Sequence, residues 1–246
     1  MNEALDVEAT RTVTLTAAVY EELRRDIVEG ILLPGQRLRI EAMSKRYHVG
    51  ASPVREALNR LSAEQLVSQE AQRGFTVTQV SLDELFELTR TRCWVNEIAL
   101  RESIANGDQA WEEAIVLAFH RLSRLPVPGA GTGSAERQKW ERQHRTFHTV
   151  LLAACKSRWL LGFAEMLFDC ADRYRFLAGL TASSSRNIQE EHRSIMQATL
   201  DRDTARAIEL LNEHAVKTAE VIRDLKQDRF LSMSASAMKA EATIAS

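Results

Sequence analysis

The chain has 246 residues, of which 45% are hydrophobic and 27% charged, with a formal net charge of −2. These values are ordinary for a soluble globular protein, and the length favours two domains over one. The sequence lacks the run of about 18 apolar residues that a membrane span needs, and its N-terminus does not resemble a signal peptide, so we expect a cytoplasmic protein with no membrane partner. The odd number and wide spacing of Cys93, Cys155 and Cys170 argue against a disulfide framework and against a cysteine zinc site.

Residues 11–80 predict a small domain of three helices followed by a β-hairpin. The first helix has an apolar residue at every fourth position, namely Leu15, Val19, Leu23 and Ile27. A second short helix is expected over about 40–47, and a third begins near Ser52, with Ser52 as its N-cap and Pro53 at its first position. Two β-rich runs within 66–80 then predict the hairpin.

This order of elements is that of a winged helix-turn-helix, whose third helix enters the major groove of DNA. Residues 37–60 carry six basic and only two acidic residues, which gives this module a local positive charge. We expect base or backbone contacts from the outer face of the third helix, from the second helix and from the wing: Ser52, Arg55, Asn59, Arg46, Arg73 and Gly74.

The remainder of the chain predicts an all-α domain over 81–230. Helical patterns cover 81–107, 109–124, 135–155, 158–180, 185–200 and 202–228. Helices of these lengths form a bundle of six to seven members, so the expected fold class is mainly α, with the hairpin wing as its β structure. Segments 1–10 and 231–246 are small, polar or aperiodic and are expected to be flexible.

Four of the six histidines lie beside apolar stripes on three of these helices. His144 and His148 are one turn apart, whereas His192 and His214 occupy two later helices. For any one of them, a buried structural histidine is the simpler interpretation. Burying all four singly would repeat the desolvation cost, which favours their convergence on a metal ion.

Several segments resemble a known family of bacterial transcription regulators. "SPVREALNRL" and "RGFTV" resemble the N-terminal domain of GntR-type regulators, and "HRTFH", "EHRSI" and "ARAIELLNEH" resemble the FCD domain of the FadR subfamily. The resemblance implies a homodimer that binds double-stranded operator DNA, most often as a repressor, and is not an enzyme. It also implies that a small carboxylate effector controls the affinity for DNA.

The FCD resemblance implies a divalent metal held by one carboxylate and three histidines. His148, His192 and His214 match the three histidines, and His144 stands where an Asp is usual. An all-imidazole set favours borderline ions, so zinc or nickel is the expected cofactor rather than manganese. Metal binding should weaken as the pH falls through the imidazole range, because protonated imidazole cannot ligate.

Arg92 is the first candidate for holding the effector, since it occupies the first position of the family's R-x-x-x-E pattern. Asn96 stands where the Glu of that pattern is usual. Tyr174, in "DRYRF", is a second candidate, although an aromatic core residue is the more common role of such a tyrosine. A metal and Arg92 at opposite ends would suit a short dicarboxylate.

Two departures and one alternative function stay open at this stage. Ala51 replaces a usual Arg, and Glu41 a usual basic or long polar residue, so the operator sequence does not follow from the resemblance. The alternative is a metal-dependent hydrolase with an appended nucleic-acid module. Support for it is weak, because a hydrolase needs a general base near the metal. Glu191 and Glu213 adjoin the histidines in sequence, but neighbouring helical residues point about 100° apart, so neither glutamate is expected to face the metal.

Overall fold

The computed structural model describes residues 2–70, 74–129, 131–178 and 186–244. Within these ranges the chain is mainly α-helical, with nine helices and three short strands, which confirms the predicted fold class. It forms two compact units. The first comprises Met1–Leu82, Asp172–Leu177 and Lys226–Ser246, and the second comprises Asp83–Ala171 and Ala178–Leu225.

The N-terminal part of the first unit, up to Leu82, contains three complete helices and a small antiparallel sheet. Its helices are α1 (Asn2–Val28), α2 (Ile40–Tyr47) and α3 (Ala51–Ala63), and its strands are β1 (Arg37–Leu38), β2 (Val67–Glu70) and β3 (Gly74–Val77). The predicted second helix and the hairpin of β2 and β3 are confirmed. Strand β1 was not predicted, and it pairs with the outer side of β3 to give the order β1-β3-β2.

The core of this unit lies between α1 and α3. The predicted inner face of α3 is fully buried: Val54, Ala57, Leu58 and Leu61. From the predicted stripe of α1, Val19, Leu23 and Ile27 are buried, but Leu15 is 41% exposed. The expectation that Leu15 belongs to the buried stripe was therefore wrong.

The start of α3 also differs from the prediction. Its N-cap is Gly50, in an extended conformation, and Ala51 is the first helical residue. Ser52 lies inside the first turn, where its hydroxyl donates to Glu56 Oε1 over 3.2 Å. Pro53 is tolerated there because the first N–H groups of a helix have no partner within the helix. The expectation that Ser52 caps the helix was wrong by two residues.

The six predicted helical segments of the remainder are confirmed. They are α4 (Leu82–Asn106), α5 (Gln109–Ser123), α6 (Ser134–Leu152), α7 (Arg158–Ala178), α8 (Ile188–Leu200) and α9 (Thr204–Ile244). Gly107 lies between α4 and α5, and a larger residue would not fit there, because a Cβ at this position would lie 2.0 Å from the Trp111 ring. The indole nitrogen of Trp111 donates to the Val150 carbonyl over 2.9 Å, which ties α5 to α6.

The two ends of the chain continue these helices. Residues 2–10 belong to α1 and residues 231–244 to α9, where the sequence predicted flexible segments. Neither segment contains Gly or Pro, and alanine, methionine, lysine and glutamate all favour helix. In the described part of the chain, no helix is long and apolar enough to cross a membrane.

Candidate metal centre, effector cavity and DNA-facing helix

Four buried histidines converge in the second unit. His144 and His148 project from α6, His192 from α8 and His214 from α9, and each is at most 7% exposed. Each offers one ring nitrogen, and these four nitrogens all lie within 4.8 Å of one another. The structure thus brings together the four residues that the sequence predicted to meet.

The donor atoms of this cluster fit a bound cation. His148 Nε2 lies 3.1 Å from His144 Nε2 and 3.3 Å from His192 Nε2. A neutral imidazole carries only one N–H, so a single nitrogen of His148 cannot donate to both neighbours at once. In the tautomers that keep Nε2 unprotonated, the lone pairs of these nitrogens face one another, and a divalent ion that accepts them would remove the repulsion. Four imidazoles at such spacing suit a tetrahedral ion such as zinc.

The cluster also disfavours protonation of its own histidines. Burial lowers the pKa of His144 and of His148 well below the usual range, and the charges of the neighbouring imidazoles and of Arg92 lower both further. The two side chains are therefore neutral near pH 7. Neutral imidazole is the form that ligates a metal.

An ionised carboxylate orients the fourth histidine. His214 Nδ1 lies 2.8 Å from Glu191 Oε2, and Arg186 donates to both Glu191 oxygens over 2.8 and 2.6 Å. Burial alone would raise the pKa of Glu191, but its hydrogen bonds with Arg186 and His214 lower it to about 2. Because Glu191 is ionised, it suits the tautomer in which His214 donates Nδ1–H to it and presents the Nε2 lone pair to a metal. Sequence analysis missed this role of Arg186 and Glu191.

Aromatic rings fix the orientation of the cluster. Trp140 stacks on His144 with ring centroids 4.7 Å apart and planes inclined by 17°. Phe147, which is fully buried, contacts His148 and His192 edge-on at 5.4 and 5.2 Å. Phe168 of α7 lies 5.7 Å from His148. Packed rings restrict the rotamers of the imidazoles and so hold the donor atoms in place.

A cavity of about 290 Å³ adjoins the cluster at His148. Its apolar lining consists of Leu152, Ala153, Leu161, Ala164, Phe168 and Leu211. The other lining residues are polar: Asn96, Arg145, His148, Thr149 and Glu165. Its size is at the lower end of the range for small-molecule sites.

Two arginines lie over the ring of Phe168, which lines the cavity, and supply positive charge there. Arg145 lines the cavity, forms an ion pair with Asp169 and lies over the Phe168 ring at 5.0 Å. The predicted Arg92 does not line the cavity, but it lies over the same ring at 5.0 Å. Arg145 was missed, although its place in "HRTFH" between the two histidines could have pointed to it.

Tyr174, the second predicted effector residue, is not part of this group. It belongs to the first unit, where it is fully buried and its hydroxyl accepts the N–H of Ser81 over 3.4 Å. Tyr174 therefore has the surroundings of an aromatic core residue and not those of a residue that contacts an effector.

The predicted DNA contacts fall into three groups. Ser52, Arg55 and Asn59 are exposed on the outer face of α3, and Gly74 is exposed at the start of β3 with φ +83°. Arg46 is partly committed inside the unit, because its Nη2 lies 2.9 Å from Oδ2 of buried Asp26. Arg73 lies outside the described residues.

The comparisons with known proteins match both parts of the chain. Residues 15–77 match the family described as "Bacterial regulatory proteins, gntR family", and residues 87–217 match the FCD domain. The uncharacterised HTH-type transcriptional regulator BphR of Paraburkholderia xenovorans is 40% identical over 90% of both chains. The HTH-type transcriptional repressor GlaR of Escherichia coli is 34% identical over 83% of this chain and 94% of its own.

Solved structures give the same fold. The Escherichia coli McbR/YncC structure covers 85% of this chain and 97% of its own, with a TM-score of 0.71 at 20% identity. Together, a winged helix-turn-helix and an FCD domain define a DNA-binding transcription regulator with a C-terminal domain for a small-molecule effector. The chain belongs to the GntR family of bacterial transcription regulators. The alternative of a hydrolase has no support among these relatives, which are transcription regulators.

Proposed function

We propose that this regulator is a metal-containing repressor whose affinity for operator DNA is controlled by a small carboxylate. The observation that carries the proposal is the buried cluster of four histidines, with a cavity directly beside it. The names of two relatives, the repressors GlaR and RspR of Escherichia coli, support the sign of regulation.

His144, His148, His192 and His214 would hold the ion, with Glu191 fixing the tautomer of His214. Zinc or nickel suits four neutral imidazoles better than manganese does, because softer nitrogen ligands favour the later ions. When bound, the ion supplies positive charge beside the cavity. Arg92 and Arg145 add to that charge and would attract the carboxylate of the effector.

On the DNA side, the exposed face of α3 would enter the major groove with Ser52, Arg55 and Asn59, while Gly74 and Arg73 of the wing would lie against the backbone. A homodimer would place two such helices on successive half-sites, about one helical turn apart. Support for a dimer surface comes from large apolar side chains that are exposed on α4 and α7: Trp94, Ile98, Trp159 and Phe163.

The regulatory step is an equilibrium between two arrangements of the dimer. The effector lowers DNA affinity only to the extent that it binds one arrangement more tightly than the other. Residues of the cavity therefore set the response, whereas residues of α3 set the affinity in the absence of effector.

The test combines metal analysis with band shifts. The purified chain should hold about one equivalent of zinc or nickel per protomer, and it should retard the promoter fragment beside its own gene at low salt. A carboxylate effector should then weaken that retardation. A metal-free protein, or one that does not retard the fragment, would contradict the proposal.

A further inference from the structure

The residues that line the cavity beside the histidine cluster indicate which class of carboxylate it would accept. This inference rests on the proposed function. Most of the lining residues of the cavity belong to α6, α7 and the start of the link between them, and Asn96 of α4 and Leu211 of α9 complete the lining. At one end Arg145 of α6 pairs with Asp169 of α7. At the other, Ala153 just after α6 and Leu161 near the start of α7 line the same cavity. The cavity is thus a slot with two distinguishable ends.

The two ends differ in chemistry. His148, Arg145 and the face of Phe168 lie at the inner end, beside the histidine cluster, and Arg92 adds a further charge there. About one helical turn along α6 from His148, the walls become apolar with Leu152 and Leu161. A carboxylate head is favoured at the first end and hydrocarbon at the second.

The charge of Glu165 excludes one class of ligand. Its side chain lines the cavity and is exposed, so it lies at the solvent-facing side of the slot. Among the described residues of the lining, Arg145 is the only Lys or Arg, so a second carboxylate on the ligand would meet Glu165, the uncharged Asn96 and Thr149 or the apolar walls instead of a second cation. The short dicarboxylate suggested by the sequence therefore fits poorly.

We infer that the effector is an amphipathic monocarboxylate, with its head at the Arg145 end and an apolar body of about four to seven carbons along the lining residues of α6 and α7. The size follows from the volume of about 290 Å³, which accommodates on the order of ten non-hydrogen atoms at roughly 30 Å³ each. Aliphatic and aromatic bodies share this chemistry.

The test is calorimetric titration of the full-length, zinc-loaded protein with acetate, butyrate, hexanoate and phenylacetate, and with succinate and glutarate. Each buried methylene should tighten binding about fourfold, so affinity should rise from acetate to hexanoate. Succinate and glutarate should bind more weakly than hexanoate. If hexanoate binds no more tightly than acetate, or if either dicarboxylate binds more tightly than hexanoate, the inference is overturned.

Two variants with matched controls locate the ligand. Leu161→Gln should flatten the increase with chain length, whereas Leu160→Gln, which alters a neighbour outside this cavity, should leave it unchanged. Glu165→Gln should tighten glutarate binding at least threefold, and Glu136→Gln, which removes an exposed carboxylate elsewhere on α6, should not. Equal effects of variant and control in both pairs would overturn the assignment to this slot.

The outcome is separable from that of the proposed function. Metal content and retardation of DNA without any carboxylate test the proposed function alone. The titrations test only which carboxylate the cavity accepts, because they compare ligands on one protein that already holds its metal.

Discussion

The outer face of α3 and the histidine cluster present their functional groups in opposite ways. Ser52, Arg55 and Asn59 are exposed on one helix, and the fold buries the other face of that helix. The four histidines are buried and come from three helices. An exposed face can change without loss of stability, whereas a buried polar cluster cannot. The first surface should therefore determine DNA affinity alone, and the second should determine stability as well.

Of the substitutions that distinguish the two regions, His192→Ala should have the largest effect on metal content and stability. The variant should lose stoichiometric metal, and with it the stabilisation of about 2.7 kcal/mol that a ligand provides at 100 times its Kd. The melting temperature should fall by roughly 5–10 °C. Metal analysis and thermal denaturation measure both. His120→Ala, on the exposed side of α5, is the control and should keep its metal; a full equivalent of metal in the His192 variant would show that the ligand set is wrong.

Glu191→Gln should have the next largest effect, because the amide no longer fixes the tautomer of His214. Loss of such a carboxylate typically costs 10- to 100-fold in metal affinity. Competition with a chromophoric chelator measures this change. The neighbouring exposed Glu190 offers a matched control, and if Glu190→Gln weakened metal binding equally, the effect would be one of general charge and not of orientation.

Arg55→Ala should weaken operator binding by about 1–3 kcal/mol if the side chain reads a base, or reduce the salt dependence by about one unit if it contacts a phosphate. Metal content and melting temperature should not change, since Arg55 is exposed. Fluorescence anisotropy at several salt concentrations distinguishes the two cases. Arg121→Ala, at an exposed position of α5, is the control and should leave DNA binding unaltered. A loss of metal in the Arg55 variant would show that the DNA-binding face and the histidine cluster are not independent.

The smallest effect is expected from His144→Asp, which should keep a metal but change which one. A carboxylate shifts the preference of the site from zinc or nickel toward manganese. Dialysis against equal concentrations of the two ions, followed by metal analysis, should show a higher manganese fraction than in the wild type. An unchanged fraction would mean that His144 does not ligate.

The sequence predicted the elements whose pattern is long and periodic. The inner face of α3, the position of α2 and all six later helices followed from apolar spacing together with residues that start or end helices, such as Gly107. The two-residue strand β1 did not, because two residues carry no periodicity, and its pairing with β3 joins distant segments. The start of α3 was misplaced because Ser52 and Gly50 are both acceptable caps.

The convergence of the histidines could be predicted, but most of their surroundings could not. Each histidine lay beside an apolar stripe, which was enough to place all four toward one interior. Arg186 and Glu191 reach His214 through side-chain geometry that no spacing rule describes. Arg145, not Arg92, lines the cavity. The sequence could not show which of the two arginines does so, because that depends on how the helices pack around the cavity. The cytoplasmic location stays a prediction.

Glu191 and the four histidines link segments that are far apart in the chain, and this affects how the helices α6, α8 and α9 can open. His148 and His192 are 44 positions apart in the chain, and Glu191 and His214 are 23 apart. With an ion in place, opening α6, α8 or α9 would break a ligand bond, so these three helices would have to open together and not one at a time. Hydrogen exchange would then show their amides exchanging as a single cooperative group in the metal-loaded protein, and as separate groups after chelation.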